Sequence, residues 1–289
     1  MKPIFSALLL MMPLASAYSG DRMPTVYLAH FYVVLDQASY DALRSSPLVA
    51  ALAGVDDLHT VAGTQAWTGF YLWGHETYME FFGSVPPPDQ KVVPGDTGLG
   101  LTVEESGGVA AVAARLSTVF GKRVKVEATP RTTPSGVIPW FTSTQITSQG
   151  HEVMETWFME IAPGYLAAMH PGAQIENPLS RQQYLAWRFL PDRPLDNVVG
   201  LAVALNPSDM AQLATELELV GWAVNRAGGG FVATGPDVKL TVVPAGARAG
   251  IQQAELRLRR PVPKQEITLG SAKLLLEGET GRFVFWASN

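Results

Sequence analysis

Two carboxylates sit where a carboxylate is expensive. Glu80 lies in Tyr78-Met79-Glu80-Phe81-Phe82, and Glu160 lies in Thr156-Trp157-Phe158-Met159-Glu160-Ile161, each among aromatic residues and a methionine. An isolated ionised carboxylate in apolar surroundings costs several kcal/mol unless it is paired or bound to a cation. Related stretches precede both, Gly74-His75-Glu76 and Gly150-His151-Glu152, and a spacing of about 80 residues reads as a duplicated unit. His30, in the apolar stretch 25–35 (TVYLAHFYVVL), adds an imidazole. One imidazole and two carboxylates suit a divalent Fe, Mn, Zn or Ni ion and leave positions open for a substrate oxygen. On this expectation His30, Glu80 and Glu160 are metal ligands, and if one glutamate leaves the metal during turnover it serves as general base, with Glu160 the choice. The plainer alternative makes His30 a packed core residue and sets both glutamates on a solvated sheet face.

The elements that must position these residues follow from hydrophobic period. Residues 25–35 are β-branched and aromatic and end at Asp36, a strand. Residues 37–53 carry helical spacing interrupted by Pro47. Residues 58–62, 67–73 and 77–82 read as strands, so the order is βαβββ. A Pro-rich linker spans 84–96, and the order then repeats: strand 97–104, helix 108–120, strands 124–128, 137–146 and 156–161. Residues 163–193 look irregular, with a short helix at 164–169 and a strand at 183–189. A third echo follows. It has a strand at 197–205, a helix opened by Asn206-Pro207-Ser208 and running to 220, and six short strands ending near Trp286. The expected class is α+β, with units at 25–83, 97–165 and 196–289. Strand parity puts Leu28, His30, Tyr32 and Val34 on one face, Tyr78, Glu80 and Phe82 on one face, and Phe158 with Glu160.

Taken together, HFYVVLD (30–36), WTGFYLWG (67–74), WFMEIAP (157–163) and FVFWA (283–287) resemble the vicinal oxygen chelate, or glyoxalase/bleomycin-resistance, superfamily, and within it an uncharacterised glyoxalase-like family. The resemblance implies paired βαβββ modules around a divalent metal, with ligands from the first and last strand of each module. His30, Glu80 and Glu160 match three of those positions. The fourth falls near Gly98 or Leu99, which carry no ligating side chain. The implied activity is that of a metal-dependent lyase, isomerase or dioxygenase acting on a small oxygen-bearing, apolar or aromatic substrate. Trp67, Tyr71, Trp73, Trp140 and Phe158 would wall the cleft, with Phe70, Phe141 and Trp157 beside them. The alternative is a non-catalytic ligand-binding protein of the bleomycin-resistance type.

Composition sets the outer bounds. With 289 residues, 47% hydrophobic and 16% charged, the chain is too apolar for disorder and long enough for a large core. A net charge of −5 without a basic stripe argues against a nucleic-acid partner. Cysteine is absent, so disulfides and thiolate ligands are excluded. Lys2, the apolar run 4–14 and Ala15-Ser16-Ala17 read as an export signal, residues 1–17, cleaved before Tyr18. The expected product is periplasmic or secreted, has no membrane span, and partners a small molecule, with a homodimer also open. The C-terminal strands carry no His and no converging acidic pair, which suits a bracing role or a subunit contact.

Overall fold

The computed structural model describes residues 22–83, 93–147, 153–176 and 178–286. The expected leader, the His151-Glu152 pair and most of the Pro-rich linker lie outside the described residues.

The chain begins with β1 (Val26–Val34), α1 (Gln37–Ser45) and α2 (Pro47–Leu52). Asp36 caps α1 by accepting from Ser39 N at 2.9 Å. Ser46 separates the helices and caps α2, whose first turn tolerates Pro47 because that N–H has no helical partner anyway. Then come β2 (Gly54–Ala62), β3 (Gln65–Trp73) and β4 (Tyr78–Phe82). The next stretch supplies β5 (Thr97–Val103), α3 (Gly108–Phe120), β6 (Val124–Thr133), β7 (Gly136–Ile146) and β8 (Met154–Ile161).

These eight strands close into a barrel in the order β1-β4-β3-β2-β6-β7-β8-β5. In each half the first strand runs parallel to the last, β1 with β4 and β5 with β8. The two seams differ. β1 and β5 pair antiparallel along most of their length, whereas β2 meets β6 through Ala62 and Arg131 alone.

The β1–β5 register shifts between Leu28 and His30. Strict alternation would set Leu28 beside His30. The irregularity instead leaves Leu28 in the main core with Phe31 and Val33 and turns Ala29 toward the barrel mouth, as a bulge does when it re-aims side chains.

Residues 163–193 cross the barrel mouth and contain α4 (Gly164–Met169) and α5 (Arg181–Leu185). The strand expected at 183–189 is absent. Ser180 accepts from Gln183 N at 3.1 Å and starts a helical turn there instead.

The remainder forms β9 (Leu195–Leu205), α6 (Pro207–Leu219), β10 (Ala223–Ala227), β11 (Gly230–Thr234), β12 (Lys239–Pro244), β13 (Gly250–Leu269) and β14 (Ala272–Val284). They make one sheet, ordered β10-β11-β12-β9-β13-β14. Four strands expected after residue 250 are two long ones. The polar stretch between the apolar pieces continues the hairpin through two register irregularities rather than ending it. This sheet packs on the outside of the barrel, where Phe283 and Phe285 meet Phe81, and Phe285 also meets Phe31. The hairpin turn is tied to α1, Ser271 N donating to Ser39 Oγ at 2.8 Å. No described helix is long and apolar enough to cross a membrane.

Candidate functional site

The barrel interior is built from alternate residues of six strands, β1, β3, β4, β5, β7 and β8. β1 directs His30 and Tyr32 inward, and the parallel register sets His30 beside Tyr78 and Tyr32 beside Glu80. The His30 ring stacks on Tyr78 with centroids 4.3 Å apart and meets the edge of Trp157 at 5.2 Å. Across the other side of β1 stand Gly100 and Gly98. A Cβ at Gly100 would lie 2.5 Å from His30 Cε1, and one at Gly98 would overlap the Tyr32 ring. The position that the resemblance assigns to a fourth ligand therefore has no side chain because rings from β1 occupy its space.

Glu80 faces Tyr71 across the β3–β4 pair. The Tyr71 hydroxyl and the Trp67 indole N–H, the latter at 3.1 Å, both donate to Oε1. Among the described residues no donor reaches Oε2. Burial pushes the Glu80 carboxyl up to about 7, with the two hydrogen bonds pulling the other way and no cation contributing. Burial also pushes His30 down to about 3. Its Nδ1 is buried without a hydrogen-bond partner. The Tyr78 hydroxyl likewise has none among the described residues. Of these three atoms, His30 Nδ1 is the one that is fully buried without a partner, a condition native structures rarely tolerate without a water, ion or ligand.

Aromatic packing holds these groups in place. Tyr71 stacks on Trp73 at 5.1 Å, Trp67 on Trp140 at 6.2 Å, and the Trp140 indole donates to the Tyr184 hydroxyl at 3.1 Å. Tyr165, Leu166, Leu179 and Leu185 of the crossing segment are buried against this wall. Arg181 locks the segment down at 9% exposure. It donates to Leu28 O at 2.8 Å, ion-pairs with Asp237, approaches Glu104 at 3.3 Å and Glu76 at 3.7 Å, and lies over the Tyr27 ring. Between this segment and the barrel remains a shallow, solvent-open recess, lined among others by Tyr78, Thr102, Met159, Arg181 and Tyr184.

Not all expected site residues reach the interior. Trp67, Tyr71, Trp73, Trp140, His30 and Glu80 do. Phe158 and Glu160 share a face, but it is the outer one. Phe158 is 1% exposed in the core beneath α3. Glu160 accepts from Gly107 N at 2.8 Å and Val109 N at 3.2 Å. Gly107 is the N-cap of α3 and offers no side chain, so β8 supplies the cap instead.

The repeated Met-Glu pair misleads by one residue. The inward set on β8 is Glu155, Trp157 and Met159, opposite Gly98, Gly100 and Thr102, and a one-residue offset in a strand exchanges the faces. Glu160→Ala should therefore cost about 1 kcal/mol in urea denaturation and leave ligand binding by the protein unchanged. Lost binding in a folded Glu160→Ala protein would reverse this placement.

The donor set consequently does not fit the three-ligand metal centre. Among the described residues, no group of three or more His, Cys, Asp or Glu side chains is arranged to hold a metal ion. Sequence parity did expose Tyr32 and Tyr78 beside His30 and Glu80, but Tyr165, Arg181 and Tyr184 reach the site from a segment with no periodic signal.

No curated protein matches the sequence. A hypothetical protein from Staphylococcus aureus, known from its crystal structure, is similar in fold, with a TM-score of 0.55 at 11% identity over 84% of this chain and 95% of that one. A variant of 4-hydroxymandelate synthase from Streptomyces coelicolor gives 0.39 at 13% identity, over 80% and 70% of the two chains. Homoprotocatechuate 2,3-dioxygenase from Arthrobacter globiformis gives 0.40 at 12%, over 82% and 62%. The first likeness speaks to fold alone, and the other two are too distant to carry an argument. The model of a family of unknown function, DUF5829, matches residues 28–285. The chain belongs to the DUF5829 family.

Proposed function

We propose that the protein binds a small apolar or aromatic molecule in a barrel of the vicinal-oxygen-chelate type, built from two βαβββ halves. The matching strand orders of the halves support the fold assignment. The binding reading is carried by one observation: His30 Nδ1 is buried without a partner inside an aromatic enclosure, near a Tyr78 hydroxyl and a Glu80 Oε2 that no described residue hydrogen-bonds. A ligand with a polar head and a ring would satisfy the first and stack on the second. The recess beside Tyr78 is the entrance.

The metal-dependent lyase, isomerase or dioxygenase reading draws on the same residues. It retains His30 and Glu80 and requires donors besides Glu160. Glu80, poised near pH 7, has the proton affinity of a general acid–base.

Thermal shift separates the two. Aromatic fragments with a polar head, at about 100 times their Kd, stabilise by about 2.7 kcal/mol. In a chain of this size that is on the order of 5–10 °C. The shift should shrink in Tyr78→Phe. Stabilisation by divalent cations alone would favour the enzyme, and no shift by any fragment would reject the binding site.

A further inference from the structure

The electrostatics of the recess specify the head group it takes. Glu76 and Glu104 stand at its rim, and Asp237 lies just behind. Arg181 is the one guanidinium shared among these three carboxylates. Arg188 at the mouth is paired with Asp56 at 2.8 Å, and Arg131 lies over the Trp140 ring, donating to Tyr165. The recess lining therefore carries two carboxylates, Glu76 and Glu104, against the single guanidinium of Arg181, which Asp237 behind it also shares.

Glu80 itself is 6% exposed and its two hydrogen-bond donors are both neutral. Its charge is felt at Tyr78 and Tyr184, the two phenols lining the recess. The Tyr78 ring, 7% exposed and with no hydrogen bond to its hydroxyl from any described residue, is the floor. Ring faces are electron-rich, and this mouth already uses them for cations. Arg181 lies 4.2 Å from the Tyr27 centroid, Arg131 4.8 Å from Trp140, and Arg188 5.7 Å from Trp73.

We propose that the recess selects an organic cation: an ammonium head directed toward the Glu80 carboxylate past Tyr78, on a compact aromatic or aliphatic body. This rests on the binding reading above and deepens it. The ammonium supplies the positive charge that Glu80 lacks and a donor for its free oxygen. The rings of Tyr78 and Tyr184 hold the methylene or methyl groups beside it. A carboxylate-bearing ligand meets net repulsion, and a neutral alcohol makes the hydrogen bond without the charge interaction.

Calorimetry with the purified chain at pH 8 tests this with four probes: phenethylamine, benzyltrimethylammonium, phenethyl alcohol and 3-phenylpropionate. The expected result is that phenethylamine binds at least about tenfold tighter than phenethyl alcohol, worth about 1.4 kcal/mol, that benzyltrimethylammonium also binds, and that phenylpropionate does not. Glu80→Gln should reduce the amine-over-alcohol preference to less than about threefold. Glu76→Gln, at the half-exposed rim, where its carboxylate is the more distant of the ion-pair partners of Arg181 at 3.7 Å, should weaken the amine alone, which gives a second arm that leaves Glu80 intact. Equal binding of amine, alcohol and carboxylate would overturn the cation assignment and leave the binding reading intact. Absence of binding by all four would take both down.

Discussion

Stability of this protein should be nearly flat between about pH 4.5 and 6.5, and single substitutions at Glu80 and His30 should tilt it in opposite directions. Glu80, raised by burial from 4.5 to about 7, holds a proton in the folded chain that the unfolded chain has already lost. Its contribution is full below pH 4.5 and disappears as pH rises to about 7. His30, lowered by burial from 6.5 to about 3, is neutral when folded and charged when unfolded. Its contribution is full above pH 6.5 and disappears as pH falls to about 3. The slopes oppose one another where the windows overlap.

Glu80→Gln keeps an oxygen for the Tyr71 and Trp67 donors and removes the charge. At pH 8 it should be more stable than the parent by on the order of 3 kcal/mol, with stability rising from about pH 3 to 6.5. His30→Phe keeps the stack on Tyr78 and should lose stability from about pH 4.5 to 7. Urea midpoints across this range read both slopes. Parallel profiles for parent and variants would mean that neither group is desolvated as described.

Removing Arg181 should be among the most damaging surface-to-core changes available. Arg181→Met leaves Glu104, Glu76 and Asp237 without their shared cation and strips a donor from Leu28 O. Breaking a buried pair from one side typically costs about 3–5 kcal/mol. The loss should appear as a lowered urea midpoint and as faster proteolysis within residues 164–193, because Arg181 ties that segment to β1, β5 and the C-terminal sheet. Adding Asp237→Asn to Arg181→Met should recover part of the loss, since the stranded charge is the main penalty. A change under about 1 kcal/mol, with unaltered proteolysis, would show that aromatic packing alone seats the segment.

The strands of both halves were legible in the chain because each carries β-branched and aromatic residues between turn signals, as in 25–35 and 67–73. Pro47 announced the break between α1 and α2, and Asn206 the start of α6. Facing was less legible. Parity within β1 and β4 puts His30 and Glu80 on the inner face, but the register pairs them with Tyr78 and Tyr32 rather than with each other. Glu160 was placed by analogy with Glu80, but its strand is offset by one residue, so the side chain points at the α3 N-terminus. The bulge at Ala29 moved Leu28 to the core for a similar reason.

What the amino-acid order determined by itself was local: which stretches extend, which coil, and which polar side chains are embedded among apolar neighbours. Those properties depend on residues a few positions apart, so the chain displays them directly. What only the tertiary structure decided was which embedded groups face a common space and which atoms reach them. Glycines at 98 and 100 make room for rings from another strand, and Arg181 arrives from a segment some 80 to 150 positions away from the carbonyl and carboxylates it joins (Leu28, Glu76, Glu104). Such contacts arise from chain closure over long separations, where sequence periodicity has no hold.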